Sequence, residues 1–145
     1  MSERTTRQPQ THTRPGAMSA IVHDRYGPPE VLRRESVAIP TVGPDEVRIR
    51  VKAAGLNRGD ALAVEGIPYA ARLSYGMTRP KHPIPGSDIA GVVEAAGSAV
   101  TKFQLGSEVF GWSDGAFAEY ATASEHMLAE KPERLTFEQA ASTPS

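Results

Sequence analysis

The chain has 145 residues, 16 basic against 17 acidic, and a net charge of -1, which supplies no global field to draw in nucleic acid or an anionic membrane surface. Cysteine is absent, so disulfides and thiolate metal sites are excluded, and a cytoplasmic protein stabilised by packing alone is the expectation. No apolar run approaches the roughly 20 residues that span a bilayer, no signal-peptide core follows the N-terminal charges, and a chain of this length can bury about 68–70% of its unfolded surface.

Residues 1–17 are rich in Arg, Thr, Gln and Pro and lack Val, Ile, Leu and Phe, a composition that predicts a disordered tail. From Met18 onward the pattern is mainly that of strands. AIVHD (20–24) and VLRRESVAI (31–39) are strand candidates separated by the turn residues of YGPPE. Val47, Ile49 and Val51 then alternate with Arg48, Arg50 and Lys52, the period of two expected for a strand with one wet face.

Residues 58–65 read as a short helix, entered from Asn57 as N-cap and stopped by Gly66. The following stretch, 66–85, reads as a long loop carrying Tyr69, Arg72, Tyr75, Arg79 and Lys81. Loops of this length are often functional, although a solvated basic loop with its tyrosines packed on the scaffold accounts for the same residues.

Further strands are expected over 88–97, 107–112, 116–123 and 126–131. Within the first of these, Gly91 and Gly97 do not form a dinucleotide turn, because the G-x-G-x-x-G spacing occurs nowhere in the chain. Gly91 is instead expected where a neighbouring backbone approaches closely, and Gly97 in a turn. Thr136 and Gln139 have capping-box spacing and predict a helix start, continued by Ala140 and Ala141. So short a helix needs tertiary packing, which the few residues after it can hardly supply. Many short strands with such punctuation suggest a barrel or sandwich.

Arg58-Gly59-Asp60 spells a tripeptide that invites an adhesion reading, but three fixed positions occur easily by chance and only context decides. The four histidines, His12, His23, His82 and His126, are scattered without ligand spacing, which disfavours zinc and places them on loops or the surface. No metal ligand is assigned.

YGPPEVL, GPDEVRIRVKAAGLNRGD, PIPGSDIAGVVEAAG, VTKFQLGSEVFG, GAFAEYATA and LTFEQAAST, in this order, resemble the N-terminal catalytic domain of medium-chain dehydrogenases/reductases. The likeness is to the zinc-free quinone-oxidoreductase-like branch, also labelled NAD(P)-dependent alcohol dehydrogenase. It implies a mainly β fold with short helices: a GroES-like, partly open β-barrel over residues 18–135, with 136–145 starting the helix that leads to a Rossmann domain absent from this sequence.

In zinc-dependent members of the family a Cys ligand occupies the position of Asn57, and a His-Glu pair occupies that of Ser87-Asp88. The cysteine-rich lobe that holds a structural zinc is also missing between Phe110 and Phe117. The resemblance therefore implies zinc-free reduction of a small-molecule quinone, enone or carbonyl with NADP(H) or NAD(H). Asn57 and, more weakly, Tyr69 are the implied catalytic residues, and Asn57 with Arg58 the implied cofactor contacts, while Asp60 caps or braces the helix start.

The cofactor would be held mainly by the missing domain, so the chain alone is expected to be inactive, with a Rossmann unit or a second copy of itself as partner. The alternative is a non-enzymatic GroES-like binding or self-associating module, because a fold does not fix a function.

Overall fold

The computed structural model describes residues 16–143, so most of the expected tail lies outside the described residues. Strand β1 (Ala17–Val22) pairs antiparallel with β2 (Arg33–Ala38), placing Ala17 opposite Ala38 and Val22 opposite Arg33. The main sheet contains β3 (Glu46–Ala54), β4 (Asp88–Ala96), β5 (Glu108–Trp112), β6 (Tyr120–Ser124) and β7 (Leu128–Glu130). Its spatial order is β6-β3-β4-β5-β7, with every neighbouring pair antiparallel.

The alternation in β3 does what its sequence requires. Val47 and Ile49 are fully buried, while Arg48 on the other face donates to Glu94 at 2.6 Å. Ile89, Val93, Val109, Ala121 and Leu128 complete the core around them, and removal of this apolar surface from water is the main driving force for the fold.

The two sheets join through residues 116–119. Ile21 N–H donates to Phe117 O (2.9 Å), Glu119 N–H to Ser19 O (3.1 Å) and Val51 N–H to Glu119 O (2.9 Å). This segment was expected to belong to a continuous strand over 116–123. Instead the chain passes between β1 and β3, and regular strand begins only at Tyr120. That crossing wraps the sheets into the partly open barrel.

Other boundaries move for local reasons. The strand expected over 31–39 is preceded by a one-turn 3-10 helix at Pro29–Val31, since Pro29 has no N–H for a ladder. The strand expected over 126–131 shrinks to Leu128–Glu130 because a 3-10 turn, Glu125–Met127, fills its start. The long loop carries its own structure, a 3-10 turn at Tyr69–Ala71 running into α2 (Arg72–Tyr75), after α1 (Arg58–Glu65).

The expectation that the last helix would lack packing is overturned. In α3 (Phe137–Ala141) the Thr136 hydroxyl accepts from Gln139 N–H, and Gln139 Oε1 accepts from Thr136 N–H. Ala140 and Ala141 are buried against Ala90, with Ala53 and Phe110 beside them. Small side chains on both sides let the helix sit close to the sheet, so one and a half turns suffice.

Gly91 lies opposite Val51 on one side and Val109 on the other. A Cβ there would run into the backbone oxygen of Arg50, as expected of a strand glycine at a close approach. Gly91→Ala should therefore cost about 1–3 kcal/mol, an overpacking penalty, read as a lower urea midpoint with unchanged slope.

Glu125 is buried, and its carboxylate accepts from Thr101 N–H at 3.0 Å and Lys102 N–H at 2.9 Å. The bond from Lys102 N–H, foremost, holds its pKa below the usual carboxylate value, against the opposing effect of burial. A depressed folded pKa contributes stability that is complete above the unfolded value, about 4.3, and is lost as pH falls through the folded one. The stability gap between the native chain and Glu125→Gln should thus shrink on acidification below about pH 4.3, as followed by urea unfolding across that range.

Candidate substrate cleft

Where β3 ends, Gly55 N–H donates to Asp88 O at 2.9 Å, and the chain then turns into α1. Asn57 occupies the N-cap position with extended backbone, φ -110 and ψ 157, and forms a capping box with Asp60, as its place before the helix predicts. In that box the Asn57 side chain faces the Asp60 N–H and, reciprocally, Asp60 Oδ2 accepts from Asn57 N–H at 2.8 Å. Ser87 Oγ donates to Asp60 Oδ1 at 3.3 Å, which ties the helix start to the residues leading into β4.

From the same side chain the amide nitrogen, Nδ2, donates to Asp88 Oδ2 at 2.5 Å. Asp88 is only 5% exposed, so this acceptor is held rigidly. A primary amide carries two donor hydrogens. One is committed to Asp88, and the other is available at the cleft that Asn57 lines.

That cleft has a volume of about 390 Å³. Its floor is Ile84–Ser87, and one wall comes from α1 through Gly59, Asp60 and Ala63. His23 and Tyr26 enter from the end of β1, Tyr75 and His82 from the long loop, and Trp112 and Asp114 from the end of β5. The loop wall is pinned: Arg72 lies between the rings of Tyr26 and Tyr69, 4.5 and 4.6 Å from their centroids, and its Nε donates to Gly66 O at 3.0 Å. Tyr26 Oη donates to Gly76 O at 2.6 Å.

The residues singled out in the sequence do not all meet. Asn57 lines the cleft. Tyr69 is 75% exposed, stacks on Arg72 and stands outside the lining. Arg58, in the first turn of α1, is exposed and also outside it. Asp60 is buried at 8% exposure and doubly bonded, so the carboxylate that an adhesion ligand must present is unavailable.

His23 corrects another expectation. Read as a loop or surface histidine, it is 3% exposed, with its backbone N–H on Pro83 O at 2.8 Å and Nδ1 within 3.3 Å of Arg25 O. Burial lowers its pKa, against the raising influence of that carbonyl and of Asp24. No sequence spacing marks His23 or Tyr26 as neighbours of Asn57, since the barrel alone brings them together. His82 lines the cleft, His126 stands exposed in a 3-10 turn, and His12 lies outside the described residues.

For a metal the donor set does not fit. Of the groups at the positions of the family's zinc ligands, the Asn57 amide and the Asp88 carboxylate are bonded to each other and Ser87 Oγ to Asp60. Among the described residues no group of three or more His, Cys, Asp or Glu is arranged to hold an ion. Among the same residues no helix is long and apolar enough to cross a membrane.

Residues 43–133 match the alcohol dehydrogenase GroES-like domain, and the chain belongs to that family. Human quinone oxidoreductase is 37% identical over 127 residues, and the NADPH-dependent alkenal/one oxidoreductase of Arabidopsis thaliana chloroplasts 38% over 141. These alignments cover 86% and 90% of the chain but only 36% and 35% of the relatives. The chain thus spans about a third of their length.

Among solved structures, the quinone oxidoreductase of Coxiella burnetii superposes with a TM-score of 0.78 at 33% identity, covering 89% of this chain and 41% of that one. The Escherichia coli quinone oxidoreductase complexed with NADPH gives 0.74 at 27%, covering 85% and 36%. More narrowly, the chain is an N-terminal domain of the quinone-oxidoreductase-like branch of the medium-chain dehydrogenases/reductases.

Asp60→Ala removes both the helix-start brace and the tie to Ser87. The loss should be about 1–2 kcal/mol, measured by urea denaturation, with the Asn57 side-chain amide resonances displaced in the folded protein.

Proposed function

We propose that this chain is the substrate-binding part of a zinc-independent, NAD(P)H-dependent oxidoreductase acting on quinones, enones or related carbonyl compounds. The observation that carries the reading is the Asn57 amide, oriented by Asp88 and bordering a cleft of about 390 Å³. When a carbonyl is reduced, negative charge grows on its oxygen, and a donor already aimed at that point stabilises the transition state without reorganising. Asp88 supplies the aim: by holding one amide hydrogen it directs the other. The walls of Tyr26, Ile84, Pro85 and Trp112 offer an apolar enclosure for a flat, unsaturated substrate.

A nicotinamide cofactor supplies hydride, but these residues do not fit a whole dinucleotide. The chain has no G-x-G-x-x-G turn. At the start of α1, where a pyrophosphate would need free amides, the Asp60 carboxylate occupies Asn57 N–H and would repel an anion. The cofactor is accordingly assigned to a further unit, with Arg58 as the exposed cation beside the cleft that meets it and Tyr69 as an outer boundary on the substrate side.

An NMR titration of the purified chain tests this reading. Cyclohex-2-enone should perturb the Asn57 side-chain amide saturably, whereas NADPH should give neither saturable shifts nor oxidation in the presence of enone or benzoquinone. No enone response at Asn57 overturns the carbonyl reading. Turnover by the chain alone overturns the assignment of the cofactor to another unit.

A further inference from the structure

Asn57 gives the cleft a donor; His23 gives it an acceptor. Among the described residues the one partner of His23 Nδ1 is the carbonyl oxygen of Arg25 at 3.3 Å, and a carbonyl can only accept. The ring proton of neutral His23 therefore sits on Nδ1, which leaves Nε2 as a bare lone pair.

Where Nε2 goes follows by elimination. Among the described residues no group pairs with it, and Ser113 Oγ is the only buried side-chain N or O atom shut off from both partner and open space. Nε2 consequently reaches open space, and the space His23 lines is the cleft. The ring cannot easily turn away, because the residue is 3% exposed and its backbone is bonded to Pro83 at the start of the floor. Asn57 stands at the other end of that floor, bonded to Asp88.

We infer that the cleft selects carbonyl compounds that also carry a hydroxyl group, phenolic or enolic, with the carbonyl oxygen on the Asn57 amide and the hydroxyl donating to His23 Nε2. The inference rests on the carbonyl reading above and adds a second point of recognition to the same site. It has a physical motive: a ligand that excludes water from Nε2 without supplying a donor leaves a buried acceptor unpaired, which is costly, whereas a hydroxylated one satisfies it.

The test compares 4′-hydroxyacetophenone with its methyl ether, 4′-methoxyacetophenone, on the purified 145-residue chain, followed by NMR of the histidine ring nitrogens and the Asn57 amide. The hydroxy ketone should bind about five- to tenfold more tightly, the worth of one hydrogen bond, and should move the Nε2 resonance of His23 while Nδ1 stays protonated. His23→Phe should abolish that preference. Equal affinities, a preference that survives His23→Phe, or tight binding without a shift at Nε2 each overturn the inference.

Equal affinities with a normal Asn57 response sink the hydroxyl contact and spare the carbonyl reading, whereas no response to either ketone sinks both. Should His23→Phe not fold, the Nε2 shift in the native chain decides by itself.

Discussion

One hydrogen bond, from Asn57 Nδ2 to Asp88 Oδ2 at 2.5 Å, organises the face of the barrel on which chemistry can occur. It joins the exit of β3 to the entry of β4, two strands already paired side by side. A donor on a surface turn is thereby fixed to a nearly buried carboxylate at the sheet's edge. Asp60 supports the arrangement through the reciprocal capping box that fixes Asn57 at the helix start. The constraint is hierarchical: core burial sets the strands, the strands set Asp88, and Asp88 sets the amide.

The same bonds are what the proposed zinc-independent reading rests on. Where other members carry metal ligands, this chain carries an amide, a hydroxyl and a carboxylate, each satisfied by the others or by Asp60. A Lewis acid would polarise a substrate oxygen by charge. The amide offers a weaker but directional interaction, held in position by protein packing, and requires no bound ion to keep the site assembled.

Much of the scaffold was legible in the sequence because local rules govern it. The alternation of Val47, Ile49 and Val51 against Arg48, Arg50 and Lys52 fixed a strand and its inner face, and Gly91 announced a close backbone approach. Thr136 and Gln139 specified the start of α3. Legibility failed where tertiary context decides. Residues 116–119 leave a regular strand because they serve two sheets at once, and α3 is secured by alanines whose value depends on the facing Ala90. In the cleft, Asn57 was visible through motif likeness. Asp88 was visible in the same way, at a neighbouring ligand position, but His23 and Tyr26 were not, because only the wrapping of the barrel brings residues so distant in sequence to one cavity.

The placement of Arg72 against both Tyr26 and Tyr69 binds the rim of the cleft to an element far upstream. A guanidinium plane stacks on two rings at once in a way an ammonium cannot, so the rim and the β1 end form a matched set. Transplanting the segment 66–85 from a relative to alter ligand choice would sever that match unless the tyrosine after β1 travelled with it. Diversification of this rim is thus a two-locus problem, in which the loop and its distant clasp must change together.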